Sequence, residues 1–234
     1  MKANFERCLA ETLRHEGGWS DHPSDPGGAT MKGVTIGTFA RYKKREVSKA
    51  ELKAISDHDL QTIYRKEYWD KVRGDDLPAG LDLVAFDGAV NSGPSRGAKW
   101  VQQGLGVKAD GKIGPVTIDR ARAVSPRSAV EAACIARMTF LRGLSTWPTF
   151  GKGWARRVAE VREDALAMIA APPLATKPVV VQEPPQSETQ TPAPKPAPPV
   201  ASAPVAASPG PEKAESLLVR FLRWLARFIT GGKA

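Results

Sequence analysis

Phe5, Cys8, Leu9 and Leu13 recur at i, i+3, i+4 and i+8, the spacing of one helix face. Asn4 stands where an N-cap is expected, and Gly17-Gly18 where a helix stops. The periodicity then breaks. Residues 19–37 are rich in Gly, Pro, Asp and Thr, and only Gly33-Val34-Thr35-Ile36 reads as β, so a loop and a short hairpin are expected there. Helical spacing returns at about 36–45, 48–54, 57–68, 80–91 and 94–104. Ser48-Lys49-Ala50-Glu51 has capping-box spacing. Asp110-Gly111 marks a turn, and Gly114-Pro115 precedes a helix expected at 115–123. Two longer helices, about 126–144 and 152–170, follow. Ala155, Val158, Val161, Ala165, Met168 and Ile169 mark the inner face of the last. No repeat and no βαβ alternation is present, so the fold class expected is mainly α with one short hairpin.

After residue 171 the pattern changes. Of the 20 prolines, 13 lie in 172–211, among Ala, Val, Ser and Thr. Such a stretch buries no core and reads as an extended linker over 172–212. A basic amphipathic helix is expected at 213–231. Ser216, Arg220, Arg223 and Arg227 form a narrow polar stripe, while Leu217, Phe221, Trp224, Leu225 and Phe228 help fill the rest. The helix is too short and too charged to span a bilayer. Its face suits an anionic membrane surface over 213–230, or alternatively a protein groove.

Charge narrows the partners. The chain carries 34 Lys+Arg against 25 Asp+Glu, a net +9, which points to an anionic partner. Nucleic acid is not expected, because the basic residues are dispersed and no helix-turn-helix, zinc or RNA-recognition motif is present. Cys8 and Cys134 exclude a disulfide scaffold. His15, His22 and His58 lack metal-ligand spacing, so neither metal nor cofactor is expected. Met1-Lys2-Ala3-Asn4-Phe5-Glu6-Arg7 has no apolar run after its Lys, so a secretory signal is not expected.

The densest chemistry runs from His15 to Thr30. Glu16 falls at a helix C-terminus, where the dipole favours a neutral carboxyl, the form a glycosidic general acid needs. Asp25 follows on a polar loop that suits a charged carboxylate, and Thr30 offers a hydroxyl to hold water. The alternative is a solvated helix-end glutamate beside a turn. Asn91, near a helix end, could bond an N-acetyl group or cap the helix. Trp69, Tyr68 and Trp100 could stack on sugars or pack in the core.

Glu16-Gly17-Gly18, Asp25-Pro26-Gly27-Gly28-Ala29-Thr30 and Lys32-Gly33-Val34-Thr35 together resemble the signature of glycoside hydrolase family 108, the lysozyme-like muramidases of bacteria and phages. Tyr68-Trp69 and Phe86-Asp87-Gly88-Ala89-Val90-Asn91-Ser92-Gly93-Pro94 continue it. From about 95 the chain resembles a peptidoglycan-binding region, through Ala98-Lys99-Trp100-Val101-Gln102, Asp110-Gly111-Lys112-Ile113-Gly114-Pro115 and Gly153-Trp154-Ala155-Arg156-Arg157-Val158. The resemblance implies a lysozyme-like α+β fold, with a catalytic region at 1–94 and a helical binding region at 95–171 packed on it. It implies cleavage of the β-1,4 bond between N-acetylmuramic acid and N-acetylglucosamine, with Glu16 as the acid. Asp25 and Thr30 follow in the order of the Glu/Asp/Thr triad of phage-type lysozymes. Only four residues separate them, one fewer than in that pattern, which leaves Thr35 as an alternative hydroxyl. Thr35, Asn91 and Trp69 are the candidate substrate contacts. An endolysin-type monomer made in the bacterial cytoplasm, released to the periplasm and wall, with peripheral membrane association, is the expectation. A non-catalytic wall-binding or membrane-permeabilising protein on the same fold is the alternative.

Overall fold

The structure, a computed structural model, describes residues 4–21 and 28–170. His22, Asp25, the Pro-rich segment 172–212 and the helix expected over 213–231 lie outside the described residues.

Helix α1 (Phe5–Leu13) buries Phe5, Cys8, Leu9 and Thr12. It ends before the expected glycine stop. Arg14, His15 and Glu16 form a turn in which the His15 amide donates to the Thr12 carbonyl and the Glu16 amide to the Leu13 carbonyl, both at 3.1 Å. Those bonds satisfy carbonyls that a helix end leaves open. Asn4 is not a side-chain cap: its backbone is itself helical, and its amide donates to Asp82 Oδ2 at 2.8 Å.

Three two-residue strands follow: β1 (Trp19–Ser20), β2 (Thr30–Met31) and β3 (Val34–Thr35). They form an antiparallel sheet in the order β1-β2-β3. Thr30 sits opposite Ser20 on one side and Thr35 on the other. Lys32 and Gly33 join β2 to β3, with φ of 45° and 75°. Two positive φ values in a two-residue loop are the type I′ pattern that matches strand twist.

Local capping starts the next helices where the sequence places them. Thr35 Oγ1 accepts from the Thr38 amide at the head of α2 (Ile36–Lys43). Ser48 and Glu51 form the reciprocal capping box of α3 (Lys49–Lys53), and Ser56 caps α4 (Asp57–Tyr64). The helix expected to run to 68 widens into a π turn over Arg65–Trp69. Trp69 thereby enters the core edge-on to Phe5 and Phe86, with ring centroids 5.4 and 5.5 Å away.

Every residue of α5 (Leu81–Ser92) is buried, as a helix without a polar face requires. α6 (Pro94–Gly104), α7 (Pro115–Ala123), α8 (Pro126–Arg142) and α9 (Trp147–Ala170) complete the described chain. α9 begins five residues before the expected start, because Pro148 sits in its first turn, where the missing amide has no partner to lose. α5 packs against α1, α6, α8 and α9, and α9 returns to α1. α6 approaches closely on both sides. A β-carbon at Gly97 would lie 2.7 Å from the Ala89 nitrogen of α5, and one at Gly104 would lie 2.5 Å from the Ala133 nitrogen of α8. Buried Gln102 anchors the loop after α6: its amide donates to Asp110 Oδ1 (2.8 Å) and the Lys112 carbonyl (3.0 Å), and its carbonyl accepts from the Gly111 amide (2.8 Å).

The fold is mainly α with one small sheet, the lysozyme-like α+β class expected. Cys8 and Cys134 are buried free thiols. No helix among the described residues is long and apolar enough to cross a membrane.

Candidate active site

The turn after α1 carries Glu16 toward the β2–β3 loop. Its side chain is 13% exposed, and Oε1 accepts from Arg157 Nη2 of α9 at 2.9 Å. The other oxygen lies against the hairpin turn: a β-carbon on Gly33 would sit 3.3 Å from Oε2 and 2.4 Å from the Tyr64 hydroxyl. That hydroxyl donates to the Lys32 carbonyl at 2.8 Å, pinning the turn. Burial, and then the Glu16 charge, push the Tyr64 hydroxyl well above its ordinary pKa. It therefore acts as a fixed donor.

Behind Glu16 lies an enclosed ionic hub. Asp87, on α5, has no solvent exposure. Its Oδ1 accepts from Arg157 Nη2 at 2.7 Å and from Nε at 3.0 Å. Its Oδ2 accepts from Arg137 Nη1 of α8 at 2.5 Å. Burial alone would raise the Asp87 pKa, but the Arg157 and Arg137 guanidiniums outweigh it and hold the carboxyl well below the usual carboxylate range. Burial likewise opposes the Arg157 charge, and Asp87 and Glu16 override it. An uncompensated charge at this depth is costly, so each member depends on the others. Beside the hub, His15 Nδ1 lies 3.5 Å from Glu160 Oε2. Burial lowers the His15 pKa, aided by nearby Arg157 and opposed by Asp87, so this imidazole favours its neutral form.

The expected site residues part company here. Thr30 and Thr35 face each other across β2 and β3. Half-buried Thr30 makes a long contact from its hydroxyl to the Gly28 carbonyl, 3.3 Å. Thr35 is engaged in holding the head of α2. Its oxygen accepts from the Thr38 amide, and its hydroxyl donates to Thr38 Oγ1 at 3.0 Å. Asn91 lies inside α5 rather than at a cap, 4% exposed. Its Oδ1 accepts from Arg137 Nη2 at 3.2 Å and from Ser92 Oγ at 3.0 Å. A direct N-acetyl contact gives way to a place beside the hub. The stacking role read for Trp69 is corrected as well: the ring is fully buried and its Nε1 donates to Asp75 Oδ1 at 3.0 Å, leaving no face for a sugar. Asp25 lies outside the described residues. Among the described residues no group of three His, Cys, Asp or Glu side chains is placed to hold a metal.

Asp87, Arg137 and Arg157 were absent from the sequence-based site, yet a signal was present. Val130, Ala133, Cys134, Arg137 and Leu141 fall on one buried stripe of α8. Trp154, Arg157, Val158, Val161 and Ala165 do so on α9. A charged side chain on an apolar stripe is either an error of pattern or a member of a buried pair.

Comparison with known proteins adds two findings. The glycosyl hydrolase 108 model matches residues 9–93. The solved structure of Brucella abortus SagA is 45% identical in sequence, with a TM-score of 0.63, over 72% of this chain and 97% of that one. No curated protein matches the chain.

Proposed function

The chain belongs to the glycosyl hydrolase 108 family, and from that premise we propose that it is a peptidoglycan hydrolase in which Glu16 protonates the departing glycosidic oxygen. The bond cleaved is the β-1,4 link between N-acetylmuramic acid and N-acetylglucosamine. The observation that carries the reading is the position of Glu16: inside the family-matched segment, 13% exposed, anchored at one oxygen by Arg157 and set against the Gly33 turn at the other. A carboxyl fixed in this way can present one proton in one direction. The acid of a glycosidase must do so as the sugar takes on oxocarbenium character.

Thr30 is the hydroxyl assigned to a water at this site, because the Thr35 oxygen is engaged in capping α2. Asp25 is assigned the second carboxylate, the one that stabilises charge or activates that water. The basic chain, with net charge +9, suits a wall polymer rich in carboxylates.

Digestion of purified peptidoglycan by the parent and by Glu16→Gln, with products read by mass spectrometry, tests the proposal. The parent is expected to release fragments with N-acetylmuramic acid at the reducing end. The amide variant, with no proton to donate, is expected to lose roughly 10²–10⁴-fold in turnover while melting at the parent temperature. A variant that melts normally and clears walls at the parent rate would remove Glu16 from the role.

A further inference from the structure

We propose that Arg157 is the positioning residue of the catalytic acid, so that α8 and α9 complete the active site rather than forming a separable binding module. The proposal rests on the reading of Glu16 as the acid. The family-matched segment ends at residue 93, and the guanidinium that holds Glu16 comes from residue 157.

The geometry assigns the two carboxyl oxygens different roles. Arg157 Nη2 reaches Glu16 Oε1 at 2.9 Å and Asp87 Oδ1 at 2.7 Å. Nε is also on Asp87, so the guanidinium plane is fixed by a carboxylate that it shares with Arg137. The bond to Glu16 then sets where Oε1 lies. An N–H can donate to Oε1 whether the carboxyl is neutral or ionised, because that oxygen keeps lone pairs in both states. The bond therefore survives loss of the proton. The proton belongs on Oε2, beside Gly33, and from there it passes to the leaving oxygen.

Asp87 and Arg137 fix the donor in turn. Arg157 is 6% exposed and Asp87 fully enclosed. The α9 backbone and the Asp87 carboxylate leave the guanidinium little freedom. Displacement of a reacting group by about 1 Å can cost on the order of 100-fold in rate.

The test uses the full chain and soluble peptidoglycan fragments, with kcat and KM measured separately and thermal melting alongside. Arg157→Lys keeps a cation for Asp87 but loses the planar fork that serves both carboxylates. It is expected to fold, with kcat down about tenfold and KM within about threefold of the parent. Arg157→Met is expected to lose about 100-fold in kcat. Ile118→Ala, a core truncation in α7, which contributes no side chain to the hub, should lower the melting temperature and leave kcat unchanged. Should Arg157→Met fail to fold, Arg157→Lys decides: a tenfold loss in kcat supports positioning, and parent-like kcat overturns it. A loss confined to melting temperature in both Arg157 variants, as in Ile118→Ala, also overturns it. Glu16→Gln runs in parallel. If it is fully active, the acid reading fails and the positioning role with it. If it is inactive while both Arg157 variants turn over normally, only the positioning role falls.

Discussion

Replacing Gly33 by Ala should destabilise the protein by about 2–5 kcal/mol, the sum of a backbone term and a steric one. Gly33 has φ of 75°, and a residue with a β-carbon is disfavoured in left-handed geometry by about 1–2 kcal/mol. The new methyl would also stand 2.4 Å from the Tyr64 hydroxyl. Tyr64 is 1% exposed and bonded to the Lys32 carbonyl, so it has no open space to retreat into. Overpacking of that kind costs about 1–3 kcal/mol. The two terms separate in a double-mutant cycle. Tyr64→Phe alone should cost about 1 kcal/mol for its lost hydrogen bond. In that background Gly33→Ala meets no hydroxyl and should retain its backbone cost of about 1–2 kcal/mol with only the 3.3 Å approach to Glu16 Oε2 beside it. Urea unfolding of the four proteins, compared at equal slope, gives the coupling directly. A cost for Gly33→Ala below about 0.5 kcal/mol, or an identical cost in both backgrounds, would refute the steric argument.

Two further variants probe other parts of the fold. Burial raises the Asp82 pKa to about 6 from an ordinary 3.8. The native state therefore holds a proton that the unfolded chain releases, and stability from this group is full below pH 3.8 and lost as pH rises through about 6. Asp82→Asn should remove that slope, gaining on the order of 3 kcal/mol relative to the parent between pH 4 and pH 7; an unchanged difference in urea midpoint across that range would contradict it. Gln102→Leu should cost roughly 2–4 kcal/mol, because it strands the Gly111 amide and the Lys112 carbonyl. Amide exchange in 108–114 should quicken more than in α5, and uniform exchange across both would count against the anchor.

Short-range chemistry made much of this fold legible. The prolines at 94, 115 and 126 start α6, α7 and α8 where expected, and Ser48 with Glu51 places α3. Errors arose where a local signal had two meanings. The last helix starts at Trp147 rather than 152, because a proline in a first turn loses no amide bond. Gly17-Gly18 looks like a helix stop, yet the turn at 14–16 had already closed α1. The site divided along the same line. Glu16 and the Lys32-Gly33 turn lie within one short stretch of sequence, and the structure sets Gly33 against Glu16 Oε2. The Asp87 hub joins residues 50 and 70 positions apart, and no window of sequence contains such a pair. Trp69 misled because an aromatic beside a family motif suits a sugar as well as a core, and only packing decides between them.

The bond between Glu16 and Arg157 spans 141 positions, and this sets an order of events on the ribosome. When residue 93 has been added, the whole family-matched segment exists, glutamate included, but the side chain that holds the acid has not been made. At about 5–20 residues per second, synthesis reaches Arg157 roughly 3–13 s later. Until then Asp87 has at most the Arg137 guanidinium to answer it, and α5 lacks the wall that α9 supplies. The nascent chain thus carries its acid unaimed. A translation product stalled before α9, or a chain clipped there by a protease, inherits the same condition: a protein with its glutamate in place and nothing to hold it.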